Sequence, residues 1–212
     1  MRNPTNGAGI GAFVIGADSN VPTMADLPIP NPDTKNWTWV LDRPCPDCEF
    51  DASAVPRDDI GNQIRTNAAR FRQLLKSGDR VLARPPDGPD GPVWSALEYG
   101  AHVRDVYDQF HQRFLLMLTE DDPRFENWDQ DATAREADYA SADPGQVAVD
   151  LALNAGKLAD LLDKIHGDQW QRRGHRSDGS DFTVESMAFY LLHDPVHHVW
   201  DVEQGFEALA DT

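Results

Sequence analysis

The chain is short of the residues that several functions need. Lysine is nearly missing: 4 Lys stand beside 15 Arg, while 28 Asp and 8 Glu bring the formal net charge to −17. Nowhere do basic side chains collect into the stripe that a phosphate backbone or an anionic lipid surface requires, so nucleic acid and membranes are excluded as partners. The acidic excess reads as a solvated surface that keeps the protein dispersed. No run of about 18 apolar residues occurs, which excludes a membrane-spanning helix. The apolar patch from Gly9 to Gly16 lacks the basic start and small-residue cleavage pattern of a secretory signal, and the expected location is the cytoplasm. Glycine-rich phosphate loops, serine elbows and dinucleotide fingerprints are also missing. Cysteine is reduced to one pair, Cys45-Pro-Asp-Cys48. Tetrahedral zinc would need two more thiolates or histidines, and no βαβ pattern makes the pair thioredoxin-like. The first reading is a turn of two reduced cysteines, and the next a redox-sensitive disulfide.

What is present is helical periodicity. A chain of 212 residues can bury one ordinary core. Pro and Gly cluster at 28–32, 44–46, 85–92 and 144–145, and the segments after residue 56 carry apolar residues every three to four positions. A first helix is expected over about 58–77, with Ile60, Ile64, Phe71 and Leu74 on one face and Gly78 as its stop. A second, over about 94–118, carries Val103, Val106, Phe110, Phe114 and Met117. A third starts at Asp143-Pro144, an N-cap followed by proline at the first helical position, and runs towards Gly167 with Val147, Leu151, Leu158, Leu162 and Ile165. A fourth runs from about 182–184 to 209. With no convincing strand pattern, the expected fold class is all-α, a four-helix bundle whose connections at 79–93 and 119–142 are long enough for crossovers. Residues 1–33 read as a loosely ordered extension and 34–212 as the bundle domain. Residues 1–23 precede a second methionine, Met24, and are given no role. Trp37-Thr-Trp39-Val reads as an aromatic anchor that pins an irregular arm onto the bundle.

Histidine placement is the best clue to chemistry. His193 and His197 are four residues apart on the fourth helix, roughly 400° of rotation, so their rings project from nearly one face. His102 lies on the second helix. If the two helices pack face to face, the three imidazoles would hold a first-row metal with a coordination position left open, the arrangement of a catalytic zinc. Glu98 and Asp105, four before and three after His102, are expected to orient its ring or to act as a catalytic base. Asp194 and Asp201 flank the histidine pair as possible acceptors, and His198 is expected to point elsewhere. His111 lies about 180° around the helix from His102 and is excluded from the same site. Pro195, between the paired histidines, removes one helical hydrogen bond and should kink the fourth helix.

The motif Trp94-Ser-Ala-Leu-Glu-Tyr-Gly-Ala-His102, followed by Leu191-Leu-His193-Asp-Pro-Val-His197-His198, resembles the DinB-like superfamily. The likeness is to the branch that includes mycothiol-dependent maleylpyruvate isomerases and related thiol transferases. Trp37-Thr-Trp-Val-Leu-Asp-Arg-Pro-Cys-Pro-Asp-Cys48 resembles the N-terminal segment of an actinobacterial subgroup, so the likeness covers roughly 34–208. It implies a four-helix bundle with crossovers and a three-histidine metal site that maps onto His102, His193 and His197. It further implies a divalent transition metal, zinc or sometimes nickel, that holds mycothiol or a similar small thiol as a thiolate nucleophile towards an electrophilic substrate. The expected function is therefore a metal-dependent thiol transferase or isomerase. A metal-dependent hydrolase, or a non-catalytic metal-binding stress-associated bundle, is the alternative, and a homodimer is possible through exposed helix faces.

Overall fold

The computed structural model describes residues 36–89, 91–126 and 128–211. The expected extension, 1–33, lies outside them, as does the question of a start at Met24. The long helices are α1 (Ile60–Leu74), α2 (Ala96–Thr119), α4 (Pro144–Leu162) and α5 (Val184–Ala210), and a short α3 (Gln130–Glu136) sits in the connection between α2 and α4. Each long helix forms where its apolar stripe predicts. Ile60, Ile64, Phe71 and Leu74 of α1, Val103, Val106, Phe110, Phe114 and Met117 of α2, and Leu151, Leu158 and Leu162 of α4 are all buried in one core. Burial of side chains this size stabilises by about 1.5–3 kcal/mol each, far more than helix propensity differences contribute.

The starts are specified locally. The Asp143 side chain accepts from the Gln146 N–H with Pro144 in the first turn, as its sequence requires. The start of α2 is a capping box: Ser95 Oγ accepts from the Glu98 N–H, and Glu98 accepts from the Ser95 N–H at 2.8 Å. Past the end of α1, Gly78 takes φ 71°, a left-handed conformation that continuing the helix would not allow. The helix α5 continues through Pro195, whose missing N–H leaves the Leu191 carbonyl without its usual helical donor.

The principal helix pairs are α4 with α1 and α2, and α5 with α1 and α2. Of the long helices consecutive in the chain, α1 and α2 sit diagonally, as do α4 and α5, so the connection at 79–93 is a crossover as expected, whereas the one at 119–142 joins the neighbours α2 and α4. Beside the helices, which make the fold the expected all-α bundle, lie three short strands that no sequence pattern marked: β1 (Arg124–Phe125), β2 (Arg173–Arg176) and β3 (Asp181–Thr183). β1 pairs parallel with β2, placing Arg124 opposite His175, and β2 pairs antiparallel with β3, placing Gly174 opposite Phe182. Strands of two to four residues are too short for alternation to emerge from a sequence. No described helix is long and apolar enough to cross a membrane.

Candidate metal centres

The arm from Asn36 to Phe50 folds onto α5. Trp37–Leu41 forms a 3-10 turn, begun by the Asn36 side chain accepting from the Thr38 N–H at 3.0 Å. The two tryptophans then flank the histidines of α5, with ring centres 5.2 Å apart for Trp37 and His193, 5.1 Å for Trp37 and His197, and 6.4 Å for Trp39 and His193. The aromatic anchor thus packs where the arm meets the bundle. The chain next turns through Cys45–Phe50, closed by the Cys45 N–H donating to the Phe50 carbonyl at 2.9 Å and the Glu49 N–H to the Cys45 carbonyl at 3.0 Å.

This packing divides the histidines into two groups. Cys45, Cys48, His193 and His197 offer donor atoms that all lie within 4.8 Å of one another, and so do His102, Asp194 and His198. The expected trio of His102, His193 and His197 is split between them. The reason is helical phase: α5 carries two interleaved pairs with i,i+4 spacing, His193/His197 and Asp194/His198, turned roughly 100° from each other. The arm covers the first pair, and the second faces α2.

In the group facing α2, His102 is fully buried between Trp94 and Trp128, with ring centres 5.5 Å away on both sides and the Trp128 ring stacked at 4°. Its ring meets that of His198 edge-on at 4.9 Å. His102 Nε2 lies 3.7 Å from Asp194 Oδ2, and His198 Nε2 lies 3.8 Å from Asp194 Oδ1. These separations exceed a hydrogen bond. Both ring nitrogens of His102 and Oδ1 of Asp194 are buried with no hydrogen-bond partner. On its other side, His198 Nδ1 donates to Asp201 Oδ2 at 2.8 Å, so it is Nε2 that faces Asp194. Burial would raise the Asp194 carboxyl, but His198, followed by His102 and His193, holds it below the usual carboxylate range.

In the group under the arm, Cys45 Sγ and His197 Nδ1 are 3.7 Å apart, and His197 Nε2 is 3.9 Å from Asp201 Oδ1. Cys45 is 1% exposed and His193 4%, and His193 Nε2 has no hydrogen-bond partner. Burial, reinforced by neighbouring His197, lowers the His193 imidazole to about 4, and burial lowers His197 as well. Both rings are therefore neutral near pH 7, the form in which imidazole can ligate a metal. Burial raises the Cys48 thiol to about 12. Neither cysteine is in a disulfide.

The two acids expected beside His102 serve elsewhere. Glu98, 4% exposed, accepts from Arg84 Nε at 2.8 Å, from Arg84 Nη2 and from the Ser95 N–H, so it caps α2 and pairs with Arg84. Asp105 accepts from Arg104 Nε at 2.7 Å and from the Tyr139 hydroxyl. The carboxylate that faces His102 comes instead from α5. Sequence spacing held the signal, because Asp194 and His198 repeat the i,i+4 separation of His193 and His197. His111 belongs to neither group.

A pocket of about 670 Å³ opens over α5, lined by Asp194, His198, Asp201, Tyr99 and Trp94 together with Pro85, Pro86, Pro89 and Pro92. His193 and His197 also line it, while the fully buried His102 does not. Burial raises the Tyr99 hydroxyl far above its usual range, so it is a neutral donor here.

A sequence profile of the DinB superfamily matches residues 63–202. Among solved structures, the fold is similar to that of YfiT from Bacillus subtilis, with a TM-score of 0.64 and 22% identity over 73% of this chain and 87% of that one. YfiT is described as a probable metal-dependent hydrolase with an unusual four-helix bundle topology. A search of curated proteins returns no match.

Proposed function

Since the chain belongs to the DinB superfamily, we propose that it is a metal-dependent enzyme in which His102, Asp194 and His198 hold a divalent metal at the inner end of the pocket. The observation that carries this reading is His102. A fully buried imidazole with neither nitrogen hydrogen-bonded leaves a donor and an acceptor unsatisfied, at a cost of about 1–3 kcal/mol each. The adjacent unpartnered Asp194 oxygen adds a third such group. A cation among them removes much of that penalty, and the donor set of two imidazoles and one carboxylate is one that hydrolytic zinc sites use.

When bound, the metal supplies Lewis acidity and lowers the pKa of a nucleophile placed beside it. The protein's own groups do the rest. Asp201 fixes the His198 tautomer through the 2.8 Å hydrogen bond. Trp94 and Trp128 hold the His102 ring in place and keep bulk water from it. Tyr99, its ring 5.0 Å from that of His198, is a neutral side chain on the pocket lining. Hydrolysis is the reading that the donor set favours, and the description of YfiT as a probable metal-dependent hydrolase supports it.

Thiol transfer with a mycothiol-type cofactor is the second reading, and the pocket favours it. Its volume, about 670 Å³, suits a small thiol together with an electrophile. Asp47, Gln130, Asp131 and Gln204 on its lining offer hydrogen-bonding groups to a hydroxyl-rich molecule.

The test is turnover by metal-loaded full-length protein on ester and amide panels, with and without added thiol, and on electrophiles with thiol. Hydrolysis without thiol supports the first reading, and turnover only with thiol the second. Either activity should fall at least 100-fold in His102→Ala and His198→Ala. No turnover from a fully loaded site would favour a non-catalytic metal-binding bundle.

A further inference from the structure

We propose that Cys45, Cys48, His193 and His197 form a second, closed metal site that takes zinc and clamps the 36–50 arm onto α5. This site is separate from the one at His102, Asp194 and His198 and shares no ligand with it. Four donors within 4.8 Å of one another are what one tetrahedral ion requires. With Zn–S near 2.3 Å and Zn–N near 2.0–2.1 Å, sulfur and nitrogen ligands of one zinc sit roughly 3.6 Å apart. Cys45 Sγ and His197 Nδ1 are separated by 3.7 Å. Two sulfurs with two imidazoles select zinc over magnesium or calcium, and the spacings Cys-x2-Cys and His-x3-His fall within those of structural zinc sites.

The surroundings are those of a ligand shell rather than of a reactive thiol. His197 points one nitrogen at Cys45 and the other towards Asp201, 3.9 Å away, so a carboxylate stands behind a metal-facing imidazole. The turn carrying both cysteines is held by two backbone hydrogen bonds and by Glu49 in the left-handed region, φ 59°. Trp37, Phe50 and Trp200 have ring centres 5.1 to 5.8 Å from those of the two histidines. On binding a divalent ion the two thiols release two protons, so two thiolates, two neutral imidazoles and the ion sum to zero charge. A neutral site is the form that an apolar pocket tolerates best. Four protein ligands fill the tetrahedron, which makes the ion a staple and leaves substrate to the other centre.

The experiment uses the full chain purified without chelator. Metal analysis should find two ions per chain, and cobalt exchange should give a tetrahedral spectrum with a thiolate-to-cobalt charge-transfer band. The band should vanish in Cys45→Ser/Cys48→Ser, which should keep one ion, and persist in His102→Ala, which should lose the other. That pattern separates this site from the proposed catalytic one. If the double serine variant does not fold, titrating the wild type with a mercurial should release one zinc to an indicator dye as two thiols react. A wild type with no thiolate band, no zinc released on thiol modification, or an intact mass two hydrogens lower from a Cys45–Cys48 disulfide would overturn the proposal.

Discussion

His198 Nδ1 donates to Asp201 Oδ2 at 2.8 Å, while the other oxygen of the same carboxylate stands 3.9 Å from His197 Nε2. One acidic side chain, one turn beyond each histidine or nearly so, therefore addresses a ring in each donor group. Carboxylates behind ligand histidines fix the tautomer and raise basicity, and their loss typically costs about 10–100-fold in metal affinity. Asp201→Asn keeps the shape but is a weaker, uncharged acceptor. It should weaken metal binding at the His198 centre by about that factor with the helical circular dichroism unchanged. Competition against a chromophoric chelator measures it, and unaltered affinity would remove Asp201 from any orienting role.

Glu98 is tied into the fold through two interactions. Its carboxylate, 5% exposed, pairs with an Arg84 guanidinium that is 16% exposed, and it closes the capping box of α2. Removing one partner of such a buried pair costs about 3–5 kcal/mol, because the other is left buried and charged without its counter-ion. For a domain of this size that corresponds to a thermal midpoint lower by roughly 6–20 °C. Glu98→Ala should show this drop in calorimetry while its metal content stays at the wild-type value. Loss of metal with stability intact would return Glu98 to the site.

The four long helices were legible because each buries one stripe against the same core, so the apolar spacing of Ile60, Ile64 and Phe71, or of Val103, Val106 and Phe110, records the burial directly. The strands were not, since Arg124–Phe125 and Asp181–Thr183 are held by pairing with Arg173–Arg176, a long-range relationship without local period. The candidate metal ligands were half legible. All the donors on α5 lie within His193–His198, but which i,i+4 pair meets His102 depends on which face α5 turns towards α2, a long-range relationship. The two further donors that the cysteine pair needs sit about 150 positions downstream, beyond any local pattern.

The small sheet rests on a close approach that only glycine permits. A Cβ on Gly174 would lie 2.5 Å from Phe125 Cζ and 2.9 Å from Met117 Cγ, both side chains being buried. Overpacking of this kind typically costs about 1–3 kcal/mol. Gly174→Ala should destabilise by that amount in urea titration, and the penalty should shrink in a Phe125→Leu background, where the ring is gone. An equal penalty in both backgrounds would place the strain in the backbone instead.

Metal removal should proceed in two stages, because the two centres differ in the number and kind of their ligands. Asp194 and His198 line the pocket, and their centre has three protein ligands, so a chelator can attack an open position. The other centre has four, including buried Cys45 and His193, under Trp37 and Trp39. Dilute EDTA should therefore first take one ion, with loss of any activity and little change in thermal midpoint. Longer or warmer treatment should take the second, with a larger fall in midpoint as the 36–50 arm loses its clamp. Metal analysis and calorimetry on timed samples follow both stages. Simultaneous loss of the two ions, or loss of the thiolate-bearing ion first, would contradict this assignment of an open and a closed site.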